Sequence, residues 1–320
     1  MPPLADVQMT TPERNLVLVH TQPFQARAHF EQVRQILRER APDIEVFIVD
    51  NAQTQSVTRR KAAQRPSLVF SPVALDRFRP MRGKLYAARR LTKWEEYQRI
   101  VAAGLPAPQA VMLEPDTRLD PETWGPFTVL KPNVGYQGEG VRLVRTRDVR
   151  WRDPFSWPTR DPRRGVQMIA QKFIDTGPMP RSHRVLVVFG RALYSVLFSV
   201  TDAPVFDRDP SAAHPLEERI ASTNGARTIA MNDEPDVIDL ACRVAQGIPD
   251  IASLGIDIVR NAATGGLYVL EINTRGMTWH FSSAYGMQQQ QKFGLDYAAQ
   301  FGAVEVLADA LIEVTRREAE

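Results

Sequence analysis

Three oxygen-bearing side chains late in this sequence stand at a spacing that can hold a hard cation. Asp257 lies in LGIDIV, and Glu271 and Asn273 follow in VLEIN, two strand-like runs joined by a turn. Side chains alternate faces along a strand, so Glu271 and Asn273 project together, Leu270 and Ile272 face the other way, and Asp257 stands between Ile256 and Ile258. Pairing Arg260 with Tyr268 sets Asp257 opposite Glu271, where two like charges repel unless a cation lies between them. Two carboxylates and an amide, with no nearby cysteine and no histidine pair, suit Mg²⁺ or Mn²⁺ better than zinc. The stretch also fits an ordinary amphipathic hairpin with a solvated acidic face, so the rest of the chain must decide.

Lysine usage adds a second signal. Of 40 basic residues only six are lysines, at 61, 84, 93, 131, 172 and 292. Arginine serves wherever charge alone suffices, and a lysine's compact ammonium enters phosphate sites that a planar guanidinium does not fit. Lys131 ends the strand-like run WGPFTVLK, expected over residues 124–131, and leads into PNVGYQGEG with Gly135, Gly138 and Gly140. Glycines expose backbone amides, so such a loop can fold over polyphosphate, although taken alone it also reads as a hairpin turn. Thr92 is an N-cap for a helix over residues 93–103, which Gly104 and Pro106 terminate.

The elements that must position these groups are legible as α/β. After an irregular start, residues 16–20, 44–49 and 67–70 read as strands and residues 25–40 as an amphipathic helix, giving a small α/β unit with parallel strands. The turn after the first strand, HTQPFQ, lacks a glycine fingerprint, which argues against a dinucleotide site and leaves His20 a strand-end polar residue. Residues 76–84 are basic and proline-broken. Strands are expected at 109–113, 141–144 and 167–174, with an irregular insertion at 146–167 that is assigned no chemistry. Residues 175–178 read as a hinge, and residues 184–189 and 192–200 as a hairpin turning at Gly190 and Arg191. Residues 201–232 are expected to form a long loop, 235–247 a helix, and 295–317 a closing helix.

Composition bounds the function classes. The 320 residues, 43% hydrophobic and 24% charged, suffice for two or three modest domains. Cys242 is the only cysteine, which excludes a disulfide framework and fits a reducing, cytoplasmic setting. No signal-peptide pattern opens the chain and no apolar run reaches the roughly 20 residues of a membrane span. The basic residues are scattered at a net charge of +3, so neither nucleic acid nor membrane is an expected partner, and anionic small substrates stay open.

In their order along the chain, these features resemble the ATP-grasp superfamily, particularly its ATP-dependent carboxylate–amine ligases, over roughly residues 93–277. Lys93 in KWEEYQRIVAAGLP is similar to the first nucleotide lysine of that family, Lys131 in VLKP to the strand-end lysine that reaches the α and β phosphates, and PNVGYQGEG to its mobile glycine-rich lid. By the same resemblance, Lys172 and Ile174 in QKFID offer backbone groups to the adenine edge, beside Gln171, where many members carry glutamate, and Asp175 takes the ribose hydroxyls. Asp257, Glu271 and Asn273 match the metal ligands. The resemblance implies an ATP-grasp fold of three α/β domains, here residues 1–90, 91–174 and 175–320, with ATP between the central and C-terminal lobes. It also implies ATP and two Mg²⁺ or Mn²⁺ ions as cofactors, and frequently a homodimer.

The chemistry implied is amide or peptide bond formation. Phosphoryl transfer needs positioning and charge, which Lys93, Lys131 and ions bridged by Glu271 supply. In the implied reaction a substrate carboxylate attacks the γ phosphate to give an acyl phosphate, an amine displaces phosphate, and ADP is released. Arg184 and Arg275 are the candidates for holding the acyl phosphate or the substrate carboxylate, since a guanidinium donates two parallel hydrogen bonds. Residues 274–283, TRGMTWHFSS, form the expected substrate wall, with His280 as a candidate base, while Trp279 and Phe281 either line an apolar pocket there or, as aromatics near a loop more often do, belong to the core. This wall resembles without equalling that of D-alanine–D-alanine ligases. Gly255 also stands two residues before Asp257, where those ligases carry an arginine, so D-alanine is not the expected substrate. A small-molecule kinase with the same fold, or a non-catalytic nucleotide-binding regulator, are the alternatives.

Overall fold

The computed structural model describes residues 11–52, 56–75, 80–135, 137–202, 207–209, 211, 223 and 225–320. The expected irregular start up to residue 10, residues 76–79 of the basic stretch, Tyr136 of the glycine loop and most of residues 203–224 lie outside the described residues. Buried apolar runs build a four-stranded sheet from β1 (Arg14–His20), β2 (Ile44–Asp50), β3 (Ser67–Ser71) and β4 (Lys84–Ala87). Its order is β2-β1-β3-β4, all parallel as expected, with α1 (Arg27–Arg40) and α2 (Ser56–Ala62) in the crossovers. The chain leaves β1 towards β2 and leaves β3 towards β4, so the connections from these two neighbours run in opposite directions at their carboxyl ends, where parallel sheets open a crevice.

Then comes α3 (Lys93–Ala102), whose first turn is fixed by a capping box: the Thr92 hydroxyl accepts from the Glu95 amide and the Glu95 carboxylate accepts from the Thr92 amide. A second sheet, β5-β8-β6-β7, is antiparallel and consists of β5 (Ala110–Met112), β6 (Phe127–Pro132), β7 (Arg142–Arg145) and β8 (Met168–Lys172). The strand expected from residue 124 starts at Phe127. Asp120 caps a one-turn helix, α4 (Pro121–Trp124), which takes up the start of that run.

The third sheet has five strands, ordered β11-β10-β9-β12-β13 and antiparallel throughout. It comprises β9 (Arg181–Val188), β10 (Arg191–Val200), β11 (Arg227–Met231), β12 (Ser253–Arg260) and β13 (Leu267–Asn273), backed by α5 (Pro235–Gly247). Three expectations change here. The β9–β10 turn is centred on Phe189 and Gly190, both at positive φ, so Arg191 already pairs with Val188. Within residues 201–232, β11 pairs with β10, its alternation too short to stand out from the polar run around it. The closing helix, α7 (Ala303–Glu318), begins later than residue 295, because Gly294 and Gly302 both adopt left-handed φ and break the run. Before it lies α6 (Ala284–Phe293), capped by Ser283, whose glutamine-rich sequence gives a weak apolar stripe.

Two packing facts position the site. One continuous core joins Leu16, Phe30 and Phe70 of the first sheet unit to Leu186, Tyr194, Trp279 and Leu311 of the carboxyl-terminal part, whereas the second sheet has only small cores of its own around Trp124 and Phe127. Ile100 of α3 packs with Val185, Ile256 and Ile272 under the third sheet. No helix among the described residues is long and apolar enough to cross a membrane.

Candidate active site

A cavity of about 1290 Å³ runs between the second and third sheets and on to the carboxyl ends of β1 and β3. One half of it is lined by Lys93, Lys131, Gly135, Gly138, Gln171, Lys172 and Ile174, and its middle by Arg184, Asp257, Glu271, Asn273 and Arg275. Two predicted residues stand elsewhere. Gly140 is the base of the loop, with φ +72°, and a Cβ there would sit 2.9 Å from Pro132 and 3.1 Å from Arg163. Asp175 is not among the lining residues, and Arg208 holds its carboxylate at 2.6 and 3.0 Å.

The register brings Asp257 opposite Glu271 as expected, but Arg260 lies opposite Leu267, because the pairing shifts between Asp257 and Ile258 and leaves Leu270 in a bulge. Val269 and Ile272 therefore enter the core, while Leu270 joins Glu271 on the cavity wall, reversing the side expected for Leu270. The repulsion attributed to the facing carboxylates is met by side chains. Lys93 Nζ lies 2.6 Å from Glu271, and Arg184, paired with Asp257 across β9 and β12, donates two hydrogen bonds of 2.7 Å to the Asp257 carboxylate. Charge balance alone thus does not demand a metal.

The donor set nevertheless suits one. Among the described residues no group of three or more His, Cys, Asp or Glu side chains converges, so an ion here would rely on two carboxylates and an amide. Asn273 spends its Nδ2 on Gly255 O and Asp257 Oδ2, both at 3.1 Å, which leaves its Oδ1 as a hard donor beside them. A few hard oxygens completed by phosphate oxygens and water are what Mg²⁺ takes.

Burial sets the protonation states. Lys131 is 9% exposed, and desolvation, followed by the charge of Lys93, lowers its pKa to about 8. Burial also opposes the charge on Lys93, but Glu271 outweighs it and holds the ammonium above its ordinary value. Glu96, one turn along α3 from Lys93, is the acid that sequence reasoning missed: burial, then the Glu271 charge, push its carboxyl up to about 9. Its signal was the Lys93 spacing, obscured because the adjacent Glu95 faces out to cap the helix. His280 is pushed down to about 3 by burial and then by Arg184 and Arg227, so it stays neutral and is a poor base. Trp279 and Phe281 are core residues, 1% exposed, that anchor the 274–283 wall and do not line the cavity.

The wall is seated by glycines. At Gly276, φ +72°, a Cβ would lie 1.7 Å from Pro72 O, and at Gly255 it would lie 2.3 Å from the Thr278 side chain, so neither position takes a larger residue unless its neighbours shift.

A family model described as an ATP-grasp domain matches residues 91–278, more than half of the chain. The chain belongs to the ATP-grasp family. Among solved structures the ATP-grasp chain is similar to the ATP-grasp ligase PsnB complexed with a minimal precursor, at TM-score 0.49 and 18% identity, covering 93% of this chain and 98% of that one. It is also similar to the D-alanine–D-alanine ligase of Bacillus anthracis complexed with ATP, at TM-score 0.45, 14% identity and 96% and 98% coverage. D-cycloserine synthetase DcsG gives TM-score 0.46, 14% identity and 93% and 99% coverage. No curated protein matches the chain.

Proposed function

We propose that this ATP-grasp protein is an ATP-dependent carboxylate–amine ligase, which forms an amide or peptide bond through an acyl phosphate and releases ADP and phosphate. The observation that carries the reading is the continuous cavity of about 1290 Å³, which extends past the two lysines into an arginine-lined half. That is more than one small molecule needs, and a ligase must hold nucleotide and two substrates together.

Lys131 and Lys93 bind the phosphates, and the glycine loop covers them with backbone amides around Gly135 and Gly138. Gln171, Lys172 and Ile174 carry the adenine edge; a ribose contact by Asp175 requires it to leave Arg208. Mg²⁺, held by Asp257, Glu271 and Asn273, would neutralise phosphate charge as the γ phosphoryl group transfers. Arg275 and the remaining Nη1 of Arg184 orient the attacking carboxylate, whose oxygen bonds to the γ phosphorus as ADP leaves. The amine then adds to the acyl carbon and phosphate departs with that oxygen. The half-buried lone Cys242 and the charge pattern fit a cytoplasmic setting.

The test is incubation with ATP, Mg²⁺ and pooled amino acids and other carboxylates, followed by mass analysis. ADP with an adduct lighter than its precursors by one water supports the ligase. A phosphorylated product makes it a kinase, and ATP bound but never turned over leaves two readings, a regulator or a ligase whose substrate is missing from the pool.

A further inference from the structure

The two lysines of the cavity are carried by different parts of the molecule. Lys131 stands near the end of β6 in the second sheet, whereas Lys93 opens α3, which packs through Ile100 under the third sheet. Like charges oppose this meeting, since the Lys93 charge disfavours the ammonium of Lys131, so bringing both to one phosphate chain needs a structural tie. Asn133 supplies it. Its amide donates to Gln167 O at 2.9 Å, which carries the β6–β8 ladder one residue past Pro132 and fixes Asn133 to the second sheet. From there it accepts twice from the first turn of α3: its backbone O takes the Lys93 amide at 3.0 Å, and its Oδ1 takes the Trp94 amide at 2.9 Å. The Thr92 hydroxyl takes the Glu95 amide, so the first three amides of the helix are satisfied, two of them by a residue of another element. A further tie, from the Ala110 amide to the Tyr97 hydroxyl at 3.2 Å, acts one turn further along α3.

We infer that Asn133 is a positioning residue of the phosphate site: by holding the first turn of α3 against the end of β6, it sets the separation at which Lys93 and Lys131 reach one phosphate chain together. Asn133 is not among the residues lining the cavity, so it acts through Lys93 and not by contact with the nucleotide. The inference rests on the nucleotide half of the ligase reading, in which both lysines hold phosphate, and is independent of what the γ phosphoryl group is transferred to.

The experiment is calorimetric titration of AMPPNP with Mg²⁺ into the full chain, arranged as a double-mutant cycle of Asn133→Ala and Lys93→Met, with Asn133→Ser measured beside it. Asn133→Ala is expected to weaken binding about fivefold in the wild-type background and less than about twofold in the Lys93→Met background, where no ammonium is left to place. Asn133→Ser keeps a neutral acceptor that suits helix N-termini as well as asparagine does, and should stay within about twofold of wild type. Melting temperatures report that each variant is folded at the temperature of the titration. A purely structural role would weaken binding equally in both backgrounds. That result, undiminished binding by Asn133→Ala, or Asn133→Ser no better than Asn133→Ala overturns the inference. Wild type that binds no AMPPNP overturns it together with the nucleotide site, whereas AMPPNP binding without transfer from ATP to any carboxylate removes the ligase reading and leaves the cycle to decide on Asn133.

Discussion

Lys131 shows how the site sets function against stability. Its side chain is buried, with a pKa lowered from 10.5 to about 8, so the folded, nucleotide-free protein carries an ammonium that it holds at a cost of roughly 3 kcal/mol at neutral pH. The sign is that of a depressed cation: the cost is present in full below pH 8 and is relieved as pH rises towards the unfolded value. Lys131→Met should therefore raise the melting temperature of the nucleotide-free protein by a few degrees at pH 7, with the gain shrinking above pH 8, while ATP turnover disappears. A lowered melting temperature at pH 7 would show that the ammonium is better compensated than its burial indicates. The same group predicts that kcat/KM for ATP falls along an alkaline limb near pH 8, and that the limb moves upward in Lys131→Arg. Sequence reasoning found Lys131 because it ends a strand beside a glycine loop. It missed Glu96, whose buried state depends on what the fold brings against it.

At the scale of elements, the β12–β13 hairpin and the loop after it do most of the positioning. The alternation of VLEIN was readable, and so was the facing of Asp257 and Glu271. The bulge that moves Leu270 into the cavity was not, because one extra residue in a strand leaves the local pattern intact until the partner's register is known. For the same reason α6 and β11 went unseen: one is polar and the other short, and both are held by tertiary partners. The seating of the following loop is testable. Gly276→Ala should unseat it, since its Cβ would overlap Pro72 O, and thermal melting should show a loss of several degrees together with loss of activity. Thr92→Ala removes half of the capping box at the turn that carries Lys93, and denaturant titration should show about 1 kcal/mol of lost stability, with a raised KM for ATP.

The whole molecule divides unevenly. The first and third sheets share one core through Trp279 and α7, while the second sheet, which carries Lys131 and the glycine loop, is held mainly by its own small clusters. Hydrogen exchange without nucleotide should therefore show β6, β7 and β8 opening more readily than β1, β9 and β12, with AMPPNP and Mg²⁺ slowing the former group selectively. Uniform protection would indicate a single rigid body. The α/β class and the parallel first sheet were legible from hydrophobic patterning. The shared core was not, since it is made by residues separated by most of the chain length.

The most direct test traces the oxygen. In a reaction with ATP, Mg²⁺ and a pool of amines and carboxylic acids labelled with ¹⁸O, an acyl-phosphate ligase transfers one carboxylate oxygen to the phosphate it releases, so ADP should appear with singly labelled inorganic phosphate. Unlabelled phosphate beside ADP, or label in AMP, would contradict the account.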